Sequence, residues 1–258
     1  MEWKKATTNK GIRSASKPSS NNELRTVSKP SSNSLKEFAD AVFSLKDSLL
    51  KAVISASKPK KTTSTTSSSS SSGPAASVNN ENGLETVTVG NKKYKVYCQG
   101  NYSSQYGSIP SAGCSVSSMA IVLTGYGKNV TPTDVASKSY AVTLSLEQIA
   151  SGLKGYGLSA TASSTYGGAK SIRDTAKTKI DANLKSGKPV IILVRANIDG
   201  KYTGGAHYMA LLGYKNGNPI IGDPAHGGKV WNEDSLDTLI NKYIYTGSSY
   251  EEGYVLID

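Results

Sequence analysis

Histidine and cysteine are scarce in this chain of 258 residues, which contains only two of each. The two cysteines, Cys98 and Cys114, are too few for a fold held together by several disulfides. They and the two histidines, His207 and His226, also lack the short ligand spacing typical of a zinc site. We therefore expect no metal and no cofactor, and a mechanism that needs an imidazole must use one of these histidines.

Long hydrophobic runs are also missing. No stretch approaches about 18 consecutive apolar residues, so the sequence predicts no transmembrane helix. The start of the chain, MEWKKATTNKGIRS, lacks the apolar centre of a secretory signal peptide. We expect the protein to be cytoplasmic when it is made, and to be carried by a virion or an injection apparatus if it acts elsewhere.

Aromatic residues are nearly absent before residue 81, where only Trp3, Phe38 and Phe43 occur, whereas all 15 tyrosines come later. The same segment holds 13 basic and 5 acidic residues, so it carries +8 of the total formal charge of +11. Because it has so few core-forming side chains, we expect one folded domain over residues 81–258. No nucleic-acid-binding motif accompanies the lysines, so a nucleic-acid partner is not expected.

The leader begins and ends with segments of low complexity. The sequence SKPSSN occurs at residues 16–21 and again at 28–33, and proline among polar residues predicts disorder over residues 1–33. Residues 57–80 are rich in serine and threonine and are predicted to be a linker.

Between these segments, residues 34–56 predict an amphipathic helix. Ser34 and Glu37 form a capping box, and the apolar residues that follow have the spacing of a coiled coil. Three heptads are only marginally stable alone in water. We expect this helix to pack against a second copy, a delivery or virion partner, or the folded domain.

In the folded part, local patterns predict α+β structure. The predicted elements are a hairpin over 84–89 and 92–97, helices that begin near Cys114, Thr131 and Ser145, a helix over 171–187, and strands over 189–196, 206–214 and 218–223. Helices that precede an antiparallel sheet are typical of an α+β fold. The sequence therefore places Cys114 at the N-terminus of a helix.

Four residues have the chemistry for acyl transfer. A helix N-terminus and a nearby imidazolium both lower the pKa of a thiol, which suits Cys114 as a nucleophile and His207 as its base. His207 and Asp223 are predicted at the open end of one hairpin, where a carboxylate can orient an imidazole. The amide of Gln99 and the backbone N–H of Cys114 can bind an oxyanion.

Several blocks of sequence resemble a known family. They are YCQGNYSSQYGSI, SAGCSVSSMA, TPTDVA, SLEQIASGLKGYGL, GAHYMALLGY and IIGDPAHGG. In this order they are similar to the bacteriocin-processing double-glycine peptidases and their relatives, which are papain-fold cysteine peptidases. The resemblance covers roughly residues 94–257 and none of the leader.

The resemblance implies a papain-like fold in which the nucleophile helix packs on an antiparallel sheet. It also implies Cys114 as nucleophile, His207 as general base and acid, Asp223 as the orienting residue and Gln99 as oxyanion donor. Many members have Gly-Pro after the cysteine, where this chain has Ser115-Val116. The proteins that mature bacteriocins carry a membrane transporter, which this sequence does not show, so leader maturation is not the expected function.

Other interpretations of these residues stay open at the level of sequence. Gln105 competes with Gln99 for the oxyanion site, and His226 is the other possible base, although a loop histidine is usually exposed. Cys98 is expected to be a packed thiol, and a disulfide with Cys114 would block the nucleophile. Asp223 precedes a proline and can equally begin a turn.

The sequence therefore predicts a cysteine hydrolase that cleaves peptide bonds. Its expected substrates are peptides, with those of bacterial peptidoglycan favoured, and its expected setting is a phage particle or an injected toxin. Two alternatives use the same residues differently: a non-catalytic protein that binds peptides or has a structural role, and an acyltransferase or deamidase.

Overall fold

A computed structural model describes residues 73–195, 199–247 and 250–258. The predicted disordered segment 1–33 and the predicted helix 34–56 lie outside these residues. Most of the predicted linker lies outside them as well.

The described chain begins with a three-stranded antiparallel sheet in the order β1-β2-β3. Its strands are β1 (Ala76–Glu81), β2 (Leu84–Val89) and β3 (Lys92–Val96). The predicted hairpin of β2 and β3 is confirmed, and Gly90 in its turn has a φ of 58° that favours glycine. The predicted linker over 57–80 is wrong at its end, because β1 occupies residues 76–81 and pairs with β2 along its whole length. Its sequence, ASVNNE, is too polar to predict a strand, and the pairing with β2 is a contact that sequence patterns do not show.

Four helices follow the small sheet. They are α1 (Ile109–Ala112), α2 (Cys114–Gly125), α3 (Pro132–Ser139) and α4 (Leu146–Gly155). The helix starts predicted at Cys114, Thr131 and Ser145 are confirmed. Thr131 and Ser145 cap their helices with complete capping boxes, in which the side chains of Asp134 and Gln148 return the hydrogen bond.

Helix α2 is buried on all sides. The sequence predicts one apolar face, but every residue from Ser115 to Leu123 is buried in the structure. The helix lies between α3, β3 and the large sheet, and a helix without an exposed face is typical of a protein centre. This position fixes Cys114, the first residue of α2, relative to the sheet.

A six-stranded antiparallel sheet forms the second half of the fold, in the order β4-β9-β5-β6-β7-β8. Its strands are β4 (Ala160–Tyr166), β5 (Val190–Arg195), β6 (Ala206–Lys215), β7 (Asn218–Asp223), β8 (Lys229–Trp231) and β9 (Glu251–Ile257). The three predicted strands are β5, β6 and β7, which form its centre. Strands β4, β8 and β9 are not predicted by the sequence patterns.

Helices cover both faces of this sheet, and alternate residues of β6 fill two cores. Tyr208, Ala210 and Leu212 pack in the core that contains α2. Met209 and Leu211 pack in the other core, against α5 (Lys170–Lys185) and the C-terminal α6 (Leu236–Thr238), which continues as a π-helical turn. This architecture, with the nucleophile helix on an antiparallel sheet, confirms the predicted α+β papain-like fold. No helix among the described residues is both long and apolar enough to cross a membrane.

Candidate active site

Cys114 starts helix α2 directly after the short helix α1. Gly113 joins the two helices, and a Cβ at this position would lie 2.6 Å from Cγ2 of Ile109. The close turn therefore requires glycine, and it leaves the Cys114 side chain at a helix N-terminus, where the helix dipole favours a thiolate. Cys114 itself is only partly buried.

Two serines of α2 hold this helix in place. Ser115 Oγ donates to the carbonyl of Val142 at 3.1 Å and accepts from the N–H of Leu144 at 3.0 Å. Ser118 Oγ donates to the carbonyl of Tyr208 at 3.0 Å. The serine that follows Cys114 therefore satisfies backbone groups that would otherwise be buried without partners.

His207 and Asp223 form the pair that the hairpin spacing predicts. Nε2 of His207 lies 2.7 Å from Oδ1 of Asp223. The Asp223 side chain is 0% exposed and that of His207 is 6% exposed, so the contact is shielded from water. Strands β6 and β7 bring the two residues together, with a register irregularity between Leu211 and Gly213.

Cys114 and His207 are coupled electrostatically, because a hydrogen bond with the His207 side chain and the charge of His207 both lower the pKa of the thiol. Because Asp223 occupies Nε2, Nδ1 is the ring nitrogen left for the sulfur. Backbone hydrogen bonds from Tyr208 and Ser115 also reach the sulfur. The His207 ring thus interacts with the carboxylate of Asp223 and with the thiol of Cys114.

The pKa values of these side chains favour a thiolate on Cys114 and an imidazolium on His207. Burial opposes the charge on Cys114, but the hydrogen bond and the charge of His207 outweigh burial and lower the pKa of the thiol. Burial likewise opposes the charge on His207, but the bonds to Asp223 and Cys114 raise its pKa to about 9. For Asp223 too, burial is outweighed, here by His207, Trp231 and His226, so its pKa lies below the usual value.

Asp223 accepts more hydrogen bonds than the sequence predicts. The N–H of Ala225 donates to Oδ1 at 2.8 Å, and on Oδ2 His226 Nδ1 lies at 2.9 Å and Trp231 Nε1 donates at 3.0 Å. The bond to Ala225 is the turn contact that the Asp-Pro sequence suggested, so Asp223 begins a turn and also binds the His207 ring. Trp231 was missed because it lies on β8, a strand of only three residues.

His226 is not simply an exposed loop residue. Its side chain is 42% exposed, but its ring is bound to Asp223. His207, and not His226, is the imidazole that bonds the Cys114 sulfur. Sequence distance gave no indication that both histidines share one carboxylate.

Gln99 is held beside the helix pair that presents Cys114. It begins a short 3-10 helix (Gln99–Asn101), its Nε2 donates to the carbonyl of Pro110 at 2.9 Å, and its backbone N–H donates to the carbonyl of Pro224 at 2.8 Å. These bonds join the Gln99 loop to α1 and to the loop after Asp223. Gln105 is exposed.

Both cysteines are free thiols, so the alternative of a disulfide between Cys98 and Cys114 is wrong. Cys98 precedes Gln99 and is partly buried.

Among the residues that the structure describes, no group of three or more His, Cys, Asp and Glu side chains is arranged to hold a metal ion.

Comparisons with known proteins match the folded part of the chain. The family model described as "Peptidase_C39 like family" matches residues 91–251. No curated protein is significantly similar to the chain.

Three solved structures are similar over more than half of the chain. The peptidase domain of Streptococcus ComA, a bi-functional ABC transporter involved in a quorum sensing pathway, is 21% identical over 57% of this chain and 91% of its own, with a TM-score of 0.40. A double glycine motif protease from an AMS/PCAT transporter, in complex with its leader peptide, is 21% identical over 56% of this chain and 83% of its own, with a TM-score of 0.34. A C39-like peptidase from Bacillus anthracis is 16% identical over 57% of this chain and 88% of its own, with a TM-score of 0.39.

Proposed function

The chain belongs to the Peptidase_C39-like family of cysteine peptidases, and we propose that it cleaves peptide bonds with Cys114 as nucleophile, His207 as proton carrier and Asp223 as the residue that orients His207. The observation that carries this proposal is the buried contact of 2.7 Å between the His207 ring and the Asp223 carboxylate, beside a thiol whose pKa His207 lowers. A cysteine activated by an oriented imidazole is the arrangement that acyl transfer requires.

The first step is attack of the Cys114 thiolate on the peptide carbonyl carbon. The carbon–sulfur bond forms as the carbonyl oxygen takes the negative charge. The lowered pKa of Cys114 and the pKa of about 9 of His207 support an ion pair that is present before the substrate arrives. A thiol pKa below its usual value raises the fraction of thiolate at neutral pH.

The oxyanion requires hydrogen-bond donors, and we assign this role to the backbone N–H of Cys114 and to Nε2 of Gln99. The N–H of Cys114 belongs to the first turn of α2, where backbone donors have no partner within the helix. Gln99 uses one N–H of its amide on Pro110, and the amide has a second N–H for the oxyanion. The fixed position of Gln99 favours it over the exposed Gln105.

His207 transfers the protons of the remaining steps. Its imidazolium gives a proton to the leaving amine as the carbon–nitrogen bond breaks, which leaves a thioester on Cys114 and a neutral ring. The neutral ring then takes a proton from the attacking water, and the carbon–sulfur bond breaks to restore the thiolate and the imidazolium. Asp223 stays ionised throughout, and it stabilises the His207 imidazolium both before the amine leaves and after the thioester is hydrolysed.

The substrates of C39 peptidases are peptides, and we propose a bacterial cell-wall peptide for this chain. The basic leader, with 13 basic and 5 acidic residues before residue 81, complements an anionic cell envelope. Its heptad spacing over residues 34–56 suits assembly on a particle or a delivery apparatus. On this proposal the protein acts outside the cell that makes it, as part of a phage particle or as an injected toxin.

The test is to incubate the purified full chain with bacterial peptidoglycan and measure newly formed amino groups. Wild type and Cys98→Ala should release amines, and Cys114→Ala should release none while its melting temperature stays nearly unchanged. A synthetic peptide with a double-glycine site is assayed in parallel. Cleavage of that peptide alone would replace the cell-wall proposal with leader maturation, and an active Cys114→Ala protein would refute the nucleophile.

A further inference from the structure

Two histidines share the carboxylate of Asp223. On Oδ1, His207 Nε2 lies at 2.7 Å and the Ala225 N–H at 2.8 Å, whereas on Oδ2, His226 Nδ1 lies at 2.9 Å and Trp231 Nε1 at 3.0 Å. The two imidazoles are thus bound to opposite oxygens of one fully buried group. Because an aspartate carboxylate rotates readily about its last torsion, contacts to both oxygens are needed to fix its plane.

The backbone around His226 is unusual. His226 has a φ of 50°, and Gly227 and Gly228 follow with φ values of 84° and 77°. This left-handed region is natural for glycine and disfavoured for most other residues. A histidine stands here although the next two residues are glycines, and its ring makes a contact that glycine cannot make.

The loop that carries His226 is fixed at both ends. At its start, the carbonyl of Pro224 accepts the N–H of Gln99 at 2.8 Å. At its end, Gly228 lies so close to β3 that an added Cβ would be 2.8 Å from both the Cys98 nitrogen and the Val96 oxygen. The loop therefore has little freedom to move the His226 ring away from Asp223.

Trp231 supports the ring from the side. The rings of His226 and Trp231 meet edge to face, with their centroids 5.8 Å apart. The ammonium of Lys229 covers the indole at 3.4 Å from its centroid. The two donors to Oδ2 therefore also orient each other.

We propose that His226 is a positioning residue for catalysis. Its ring holds Oδ2 of Asp223 and thereby keeps Oδ1 directed at His207, which in turn keeps the His207 ring on the Cys114 sulfur. His226 acts through Asp223 and does not touch the reacting atoms. This inference rests on the roles of Cys114, His207 and Asp223 proposed above.

The test measures how fast iodoacetamide alkylates Cys114 as a function of pH, in the full chain with Cys98→Ser. This readout reports the thiolate and needs no knowledge of the peptide substrate. His226→Gly removes the ring and also suits the left-handed backbone, so it separates the side chain from the loop conformation. Asn216→Gly is the matched control, because Asn216 also has a left-handed φ, of 53°, and lies in the turn at the other end of the same hairpin.

We expect His226→Gly to slow alkylation at neutral pH about 3- to 10-fold, the scale of a partly lost hydrogen bond to a charged group. The pH profile of alkylation should also shift to higher pH. A less firmly held Asp223 stabilises the His207 imidazolium less, and the pKa of Cys114 therefore rises. Asn216→Gly should match the parent protein. His226→Phe, which keeps a ring and removes the donor, should slow alkylation as His226→Gly does, and it serves as the test if His226→Gly does not fold.

The remaining outcomes separate this inference from the proposed function. If the donor-less variants alkylate at the parent rate or faster at every pH, His226 does not position Asp223 and the inference is overturned. If Cys114 of the wild-type chain reacts no faster than Cys98, the proposed catalytic ion pair itself is wrong.

Discussion

The hydroxyl of Ser118 donates a 3.0 Å hydrogen bond to the carbonyl of Tyr208, the residue that follows His207. Ser118 lies one turn after Cys114 on helix α2, and Tyr208 lies on strand β6. One buried bond therefore joins the helix that begins at Cys114 to the strand that carries His207. It fixes the spacing between the helix and the strand.

Replacing Ser118 with alanine should destabilise the fold and slow the reaction. The Tyr208 carbonyl loses a buried partner, so we expect the free energy of unfolding to fall by about 1–3 kcal/mol. Each kcal/mol lowers the melting temperature of a domain of this size by about 2–4 °C. Thermal unfolding and Cys114 alkylation measure the two effects, and Ser151→Ala, an exposed serine of α4, is the control. Equal stability of the two variants would contradict a structural role for the Ser118 bond.

The pH dependence of peptide cleavage should differ from that of thiol alkylation. Cleavage needs the Cys114 thiolate and the His207 imidazolium together, so it should rise as the thiol ionises and fall as the pH passes about 9, where His207 loses its proton. Alkylation needs the thiolate alone and should not fall above that pH. Initial rates over a range of buffers give both curves, and a decline of alkylation at high pH in a folded protein would contradict the assignment.

Asp223→Asn should be among the most damaging conservative changes at the site. Asparagine has one acceptor oxygen where Asp223 receives bonds on two, so at least one donor then faces an N–H group. The His207 imidazolium also loses its counter-charge, so the pKa of Cys114 should rise toward the ordinary value of a thiol. We expect kcat/KM to fall by roughly 10²- to 10⁴-fold, by analogy with the serine triad. A variant that retains the low thiol pKa would show that Asp223 does not support the ion pair.

Gln99→Ala should slow catalysis and leave the thiolate unchanged. An oxyanion donor acts only when charge develops on the substrate, and loss of one such donor costs about 10²- to 10³-fold in kcat. Cys114 alkylation should therefore proceed at the wild-type rate, which separates this variant from Asp223→Asn. Gln105→Ala is the matched control and should cleave peptides normally. Loss of activity in Gln105→Ala alone would transfer the oxyanion role to Gln105.

The sequence by itself determined the elements whose signals lie within a few residues. Local patterns predict the helix caps at Thr131 and Ser145, the glycine turn at Gly90 and the apolar strands β5 to β7, because each signal lies within a few residues. The same signals placed Cys114 at a helix start and put His207 and Asp223 on one hairpin. The order of helices and strands was enough for the α+β class.

The tertiary structure decided what depends on partners distant in sequence. Strands β1 and β4 are polar segments, ASVNNE and ATASSTY, which become strands because β2 and β9 offer hydrogen-bonding edges. The burial of α2 on every side, the bond from Ser118 to Tyr208, and the gathering of His226 and Trp231 on Asp223 follow from packing. A sequence can indicate a candidate nucleophile and its base. Only the folded chain shows which other donors bind the Asp223 carboxylate, because those donors are close in space and not recognisable from the sequence pattern.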